Sequence, residues 1–200
     1  MIKVIIFDWG NVIVSYDNIR QTNKMSAHFK VDKKLFEKIE LRNRLKHDLG
    51  ELSTSEFVRN ISNGLDRKIS VTGYYSLMDK FKVAKLNAGL VGLIKKLRKK
   101  YIIFLLSNNS PPVKAEIKRY ALEKLFDKAL FSYQVGIKKP NPKFFKMIIA
   151  KTNFSYENCL FIDDREDICK VAGKLGMKTI VFKNNVQLKK KLEAFSINIK

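Results

Sequence analysis

The strongest constraint on the fold of this chain lies in its first dozen residues. Ile2, Val4, Ile5, Ile6 and Phe7 form an apolar, β-branched run of the kind that is buried on both faces in a parallel sheet. The run stops abruptly at Asp8-Trp9-Gly10-Asn11-Val12. A carboxylate at the carboxyl end of a central strand, followed by a glycine-containing turn, stands where open α/β sheets place their chemistry. Taken alone, Asp8 reads equally well as a residue capping a turn. The rest of the chain decides between the two.

After residues 13–16 come about seventy residues that read as helices. Leu35, Phe36, Ile39 and Leu45 fall at helical spacing in a charged segment. Ser53 and Glu56 form a capping-box pattern ahead of Phe57, Val58 and Ile61. A further helix is expected over residues 70–83, with Gly50, Asn63-Gly64 and Gly73 as punctuation. From Ala88 the pattern changes to alternation. A helix rich in Lys near its end precedes a buried strand at 101–106, which closes on Ser107-Asn108. Pro111-Pro112 opens a helix over 113–125, a short strand follows at 129–131, and a loop at 136–142 carries Lys139. A helix over 143–152, a strand over 159–162 ending in Asp163-Asp164, a helix over 166–175, a strand over 179–182 and a helical tail complete the chain. This alternation predicts an α/β fold, a Rossmann-like doubly wound parallel sheet, with the helical block at 16–85 inserted after the first strand and residues 1–15 and 86–200 forming the core.

The 200 residues are 46% hydrophobic and 11% aromatic, which excludes wholesale disorder. No apolar run approaches the roughly 20 residues that span a bilayer. The start is already strand-like and lacks a signal-peptide cleavage pattern, so a cytoplasmic location and no membrane partner are expected. Cys159 and Cys169 are spaced for neither a disulfide framework nor a zinc knuckle and read as buried thiols. The net charge is +21. The basic residues are spread over most elements and the aromatics sit in apolar positions, so a solvated basic surface is expected ahead of a specific nucleic-acid site. That field would steer anionic substrates.

In a parallel sheet the carboxyl ends of the strands converge, so Asp8, Ser107-Asn108, Lys139 and Asp163-Asp164 can share one site. Three carboxylates would repel one another, and one ammonium group plus a divalent cation relieves that. An oxygen-only donor set suits Mg²⁺. Asp163 to Asp167 also reads as an acidic helix N-terminus, which accounts for Glu166 but not for two Asp directly after a buried strand.

The four segments Phe-Asp-x-Gly-Asn-Val, Leu-Leu-Ser-Asn, Gly-x-x-Lys-Pro-x-Pro-x-x-Phe and Phe-Ile-Asp-Asp, in this order at strand ends, resemble the haloacid dehalogenase superfamily. Most of that superfamily are Mg²⁺-dependent phosphatases. The resemblance implies Asp8 as nucleophile, Ser107 and the backbone at Asn108 as phosphoryl-binding groups, and Lys139 as the group offsetting charge between them. It implies Asp8, the Gly10 carbonyl and Asp164 as metal ligands, with Asp163 either an alternate ligand or a support, and Asp167 supporting the pair. The Asp-x-Gly-Asn-Val form is similar to the branch holding glucose-1-phosphatase-like proteins and the phosphatase half of soluble epoxide hydrolases. Where most of the family carry a second Asp as acid and base, this chain has Gly10. Asp17 or a water is left to serve, and acid–base help is typically worth about 10²–10⁴-fold. A small phosphorylated metabolite such as a sugar phosphate is the expected substrate. A catalytically weak phosphate-binding module, and behind it a 2-haloacid dehalogenase, are the rival readings. The helical insert stands where the family carries its cap. Arg42, Arg44, Lys46 and His47 are its possible substrate-facing groups, and Trp9 either lines the cleft or packs. Oligomeric state leaves no mark in the sequence.

Overall fold

A computed structural model describes residues 1–150 and 152–199. In chain order the elements are β1 (Val4–Phe7), β2 (Val14–Tyr16), α1 (Asn18–Phe29), α2 (Lys33–His47), α3 (Thr54–Gly64), α4 (Val71–Phe81), β3 (Ala84–Leu86), α5 (Ala88–Leu97) and β4 (Ile102–Ser107). Then follow α6 (Val113–Arg119), β5 (Lys128–Phe131), α7 (Ser132–Val135), α8 (Pro142–Ile149), β6 (Cys159–Asp163), α9 (Glu166–Lys174), β7 (Lys178–Val181) and α10 (Asn185–Ala194). Five strands form one sheet in the order β5-β4-β1-β6-β7, with every pairing parallel.

The doubly wound α/β architecture follows from the side-chain alternation of β1. Ile5 and Phe7 point into a core shared with α5, α6 and α10, whereas Val4 and Ile6 point into one shared with α8 and α9. All four are fully buried, each contributing roughly 1.5–3 kcal/mol of apolar burial, which pins β1 at the centre of the sheet. The four helices α1–α4 enclose a separate apolar cluster of Met25, Phe29, Phe36, Phe57, Val58, Ile61, Leu65 and Tyr74. The Ser53–Glu56 capping box is present and starts α3. Among the described residues no helix is long and apolar enough to cross a membrane.

The structure departs from the sequence expectations at several points. β2 and β3 were not expected; they pair antiparallel as a small ribbon where the helical insert leaves and rejoins the core. The helix expected over 113–125 ends at Arg119, because the chain turns through a left-handed Ala121 (φ 52°) before a short 3₁₀ turn at Glu123–Leu125. α7 was not expected. The helix expected over 143–152 is α8, which ends at Ile149, and position 151 lies outside the described residues. On α2, Phe36 is buried but Leu35 and Leu45 stay exposed, so only part of the expected apolar stripe packs. Cys159 and Cys169 are buried free thiols, which burial pushes up to about 11 and about 12, away from reactive thiolate.

Candidate active site

Phe7 is in register with Leu105 of β4 and Ile162 of β6. One residue further along, the three adjacent strands present Asp8, Leu106–Ser107 and Asp163 at their carboxyl ends. The Asp8 N–H still donates to the Ile162 carbonyl at 2.9 Å, so the nucleophile candidate sits on rigid sheet rather than on free loop. Lys139 arrives from the loop before α8 and is 2% exposed. Its Nζ lies 2.7 Å from Asp8 Oδ1 and 2.6 Å from Asp163 Oδ2, and 5.5 Å from the centre of the Phe161 ring.

These groups perturb one another. Burial raises the Asp8 carboxyl to about 6, Lys139 opposes that rise, and Asp163 adds to it. Burial also pulls on the Lys139 ammonium, but the two carboxylates more than offset it and hold the pKa above the ordinary value. Asp163 is fully buried and also accepts from the Arg165 N–H at 2.9 Å. Asp164 is half-buried and its carboxyl is raised, chiefly by burial; Asn11 Nδ2 donates to its Oδ2 at 3.0 Å and opposes the rise.

The backbone at Asn108 is the expected phosphoryl-binding group, and the Asn108 side chain serves Lys139 instead. Its amide grips the Lys139 backbone from both sides, donating to the carbonyl at 2.9 Å and accepting from the N–H at 2.7 Å. Ser107 is buried beside it, and Asn109 Nδ2 donates to Ser107 Oγ at 3.4 Å. Asn109 is in turn tied to the Ser132 hydroxyl, which donates to the Asp48 carbonyl at 2.5 Å across the cleft.

Gly10 lies half-buried in the turn after β1, and a Cβ built on it meets nothing within 4 Å. Its φ is outside the left-handed region, so neither backbone nor space requires a glycine there. Asn11, which follows, does adopt φ 55°.

Several expected helpers are engaged elsewhere. The Asp17 carboxylate accepts from the Arg20 N–H and caps α1. Asp167 pairs with Arg165 at 2.6 Å rather than with the Asp163–Asp164 pair. His47 is buried, hydrogen-bonded to Thr54 and stacked on Phe57; burial lowers it to about 4, so it is a neutral packing group. Arg42 and Lys46 are exposed, while Arg44 pairs with Glu40 at 3.5 Å. Trp9 is fully buried, and its Nε1 donates to the Tyr16 hydroxyl at 2.7 Å and to Glu116 at 3.3 Å. Tyr16 also donates to Glu116 at 2.6 Å, and Lys82 forms an ion pair with the same carboxylate.

Asn11 and Glu116 were missed by sequence reasoning. An Asn directly after a strand-end glycine, where a left-handed residue is tolerated, is a signal for the first. Glu116 carries none beyond its place on a helix.

Asp8, Asp163 and Asp164 each offer a carboxylate oxygen within 4.8 Å of the others. Oxygen donors alone, at this charge, fit a hard divalent cation. Replacing Lys139 by Met strands two buried carboxylates beside each other. The expected cost is about 3–5 kcal/mol of folding stability. Chemical denaturation checks it, and a loss below about 1 kcal/mol would show the triad to be better solvated than its burial implies.

The sequence profile of haloacid dehalogenase-like hydrolases matches residues 2–176. A D-ribitol-5-phosphate phosphatase from Bacteroides thetaiotaomicron is 27% identical, over 96% of this chain and 97% of that protein. A HAD family enzyme from the same organism, solved with magnesium and inorganic phosphate, superposes with a TM-score of 0.79 at 28% identity, covering 92% of this chain and 96% of that one. The L-2-haloacid dehalogenase of Xanthobacter autotrophicus shares the fold at a TM-score of 0.63 and 14% identity, covering 99% of this chain and 85% of that one. With the profile spanning most of its length and the sheet order already described, the chain belongs to the haloacid dehalogenase-like hydrolases.

Proposed function

We propose that this protein is a Mg²⁺-dependent phosphatase that hydrolyses a small phosphorylated metabolite of the sugar- or polyol-phosphate class through a phosphoryl group carried on Asp8. The observation that carries this reading is the Asp8–Lys139–Asp163 triad, a buried carboxylate held by a buried ammonium at a strand end. The similarity to a D-ribitol-5-phosphate phosphatase supports the substrate class.

Asp8, Asp164 and the Gly10 carbonyl would hold the cation, with Asp163 already committed to Lys139 and the Arg165 N–H. Mg²⁺ bound there offsets the phosphate's negative charge. Lys139 engages Asp8 Oδ1, which leaves Oδ2 as the attacking atom. Attack forms an Asp8 O–P bond and breaks the ester P–O bond, and the departing oxygen takes a proton from water. A second water then attacks phosphorus, giving its proton to the hydroxide that the first water left, and the Asp8 O–P bond breaks to release phosphate and restore the carboxylate. Ser107 and the backbone after it hold the phosphoryl oxygens, while Asn108 keeps Lys139 in place through its backbone. Residues 16–85 act as the cap, whose contact through Asp48 and Ser132 closes the cleft against bulk water.

A screen of phosphorylated metabolites and an aryl phosphate with Mg²⁺ tests this. Turnover that disappears on chelation and returns with Mg²⁺ is expected. Phosphate binding without turnover of any ester would instead support the phosphate-binding module that Gly10 suggests.

A further inference from the structure

Between the helices α1, α2 and α4 on one side and residues 109–119 on the other lies a cavity of about 530 Å³. That is the scale of a small-molecule site. Asn109 lies on its wall and also donates to Ser107 of the site, so the cavity adjoins the phosphoryl-binding end of the cleft.

The charges on this wall cancel locally. Arg44 pairs with Glu40 at 3.5 Å, Lys82 with Glu116, and Arg119 with Asp79 at 2.9 Å. His47 is kept neutral by burial. In a chain of net charge +21, this cavity therefore offers no spare cation among the described lining residues. A second anionic group on the substrate would have to break a pair already made, at a cost in affinity.

What the wall does offer is hydroxyl and amide chemistry. Tyr74 is fully buried and lines the cavity, and its hydroxyl has no hydrogen-bond partner. A buried hydroxyl left this way favours any ligand that supplies a partner. The fields of Glu40 and Arg44, one helical turn apart on α2, both reach it. Asn18 and Tyr75 add further polar atoms to the same wall.

We propose that this cavity selects phosphate esters whose leaving group is uncharged and hydroxyl-bearing, with Glu40 masking Arg44 against a second anion and the Tyr74 hydroxyl taking a substrate hydroxyl. The inference rests on the phosphatase reading and adds the device by which one ester is chosen over another.

The test compares kcat/KM ratios within one enzyme, because a ratio is insensitive to the fraction of folded protein. The full chain with Mg²⁺ is assayed on a pentitol monophosphate, on the aldonic acid monophosphate of equal length, and on p-nitrophenyl phosphate. The wild type is expected to prefer the pentitol ester over its carboxylate counterpart by at least about tenfold. Glu40→Gln unmasks Arg44 and is expected to cut that preference by about tenfold. Tyr74→Phe is expected to lower the pentitol-to-aryl ratio by about tenfold, through loss of one hydroxyl contact. A wild type that takes the carboxylate ester as readily, or a pentitol-to-acid ratio unmoved by Glu40→Gln, overturns the proposal. Hydrolysis of the aryl phosphate but of neither metabolite ester also overturns it while leaving the phosphatase reading intact. Hydrolysis of nothing removes the phosphatase reading itself.

Discussion

Asp8→Asn is expected to abolish turnover, by at least about 10⁴-fold, without weakening the fold. The two halves of this result have one cause. Asp8 is buried at a strand end beside two other carboxylates, and burial raises its pKa to about 6. A carboxylate in that position is a cost to the folded state that Lys139 only partly offsets. The amide keeps the shape, removes the buried charge and its repulsion with Asp163, and leaves Lys139 paired to Asp163. What the amide loses is the carboxylate oxygen proposed to attack phosphorus. The melting temperature should therefore equal or exceed that of the wild type while activity vanishes, and no phosphoryl group should be trapped on residue 8. Residual turnover above a thousandth of the wild-type rate would point to attack by water instead of by the chain.

The second large effect runs the other way. Gly10→Asp is expected to raise kcat/KM for alkyl phosphates by about 10²-fold, the lower end of what a positioned acid supplies. The position is open: a Cβ there meets nothing within 4 Å, and the backbone does not need the left-handed freedom of glycine. The added carboxyl would stand two residues after Asp8, where most of the family carry their acid and base. Aryl phosphates expel a stable leaving group and should gain little, so the alkyl-to-aryl ratio is the quantity to measure. If the ratio stays fixed while the protein remains folded, then proton supply does not limit this site, and Gly10 is not its handicap.

The strands that carry the candidate site were legible because they are apolar on both faces. β1, β4 and β6 are runs in which nearly every residue is buried, bounded by turn residues. β2 and β3 were not, because three residues with one buried position between them carry no period. α1 falls in the block read as helical but could not be singled out, for a related reason: only Met25, Ser26 and Phe29 are buried along its twelve residues. In the site, the carboxylates could be read from strand ends, since topology alone brings those ends together, and Lys139 from the loop motif ahead of α8. The side chains that orient them could not. Asn108 reaches a residue 31 positions away, Asn11 one 153 positions away, and Trp9 a glutamate 107 positions away, and no local spacing encodes such contacts. Asp17 and Asp167 misled because a free carboxylate and a helix-capping or arginine-bound one look alike in sequence.

The β2–β3 ribbon has an architectural consequence. The Asp17 N–H donates to the Val83 carbonyl at 2.9 Å, and Tyr16 and Lys82 meet on the single Glu116 carboxylate of the core. The chain thus departs for its helical excursion and comes home at one doorway, with Asp8, Lys139, Asp163 and Asp164 all outside it. Under the proposed function such an excursion is a cassette: exchanged at the doorway for a sibling's, it is expected to carry a new substrate preference onto an unaltered core.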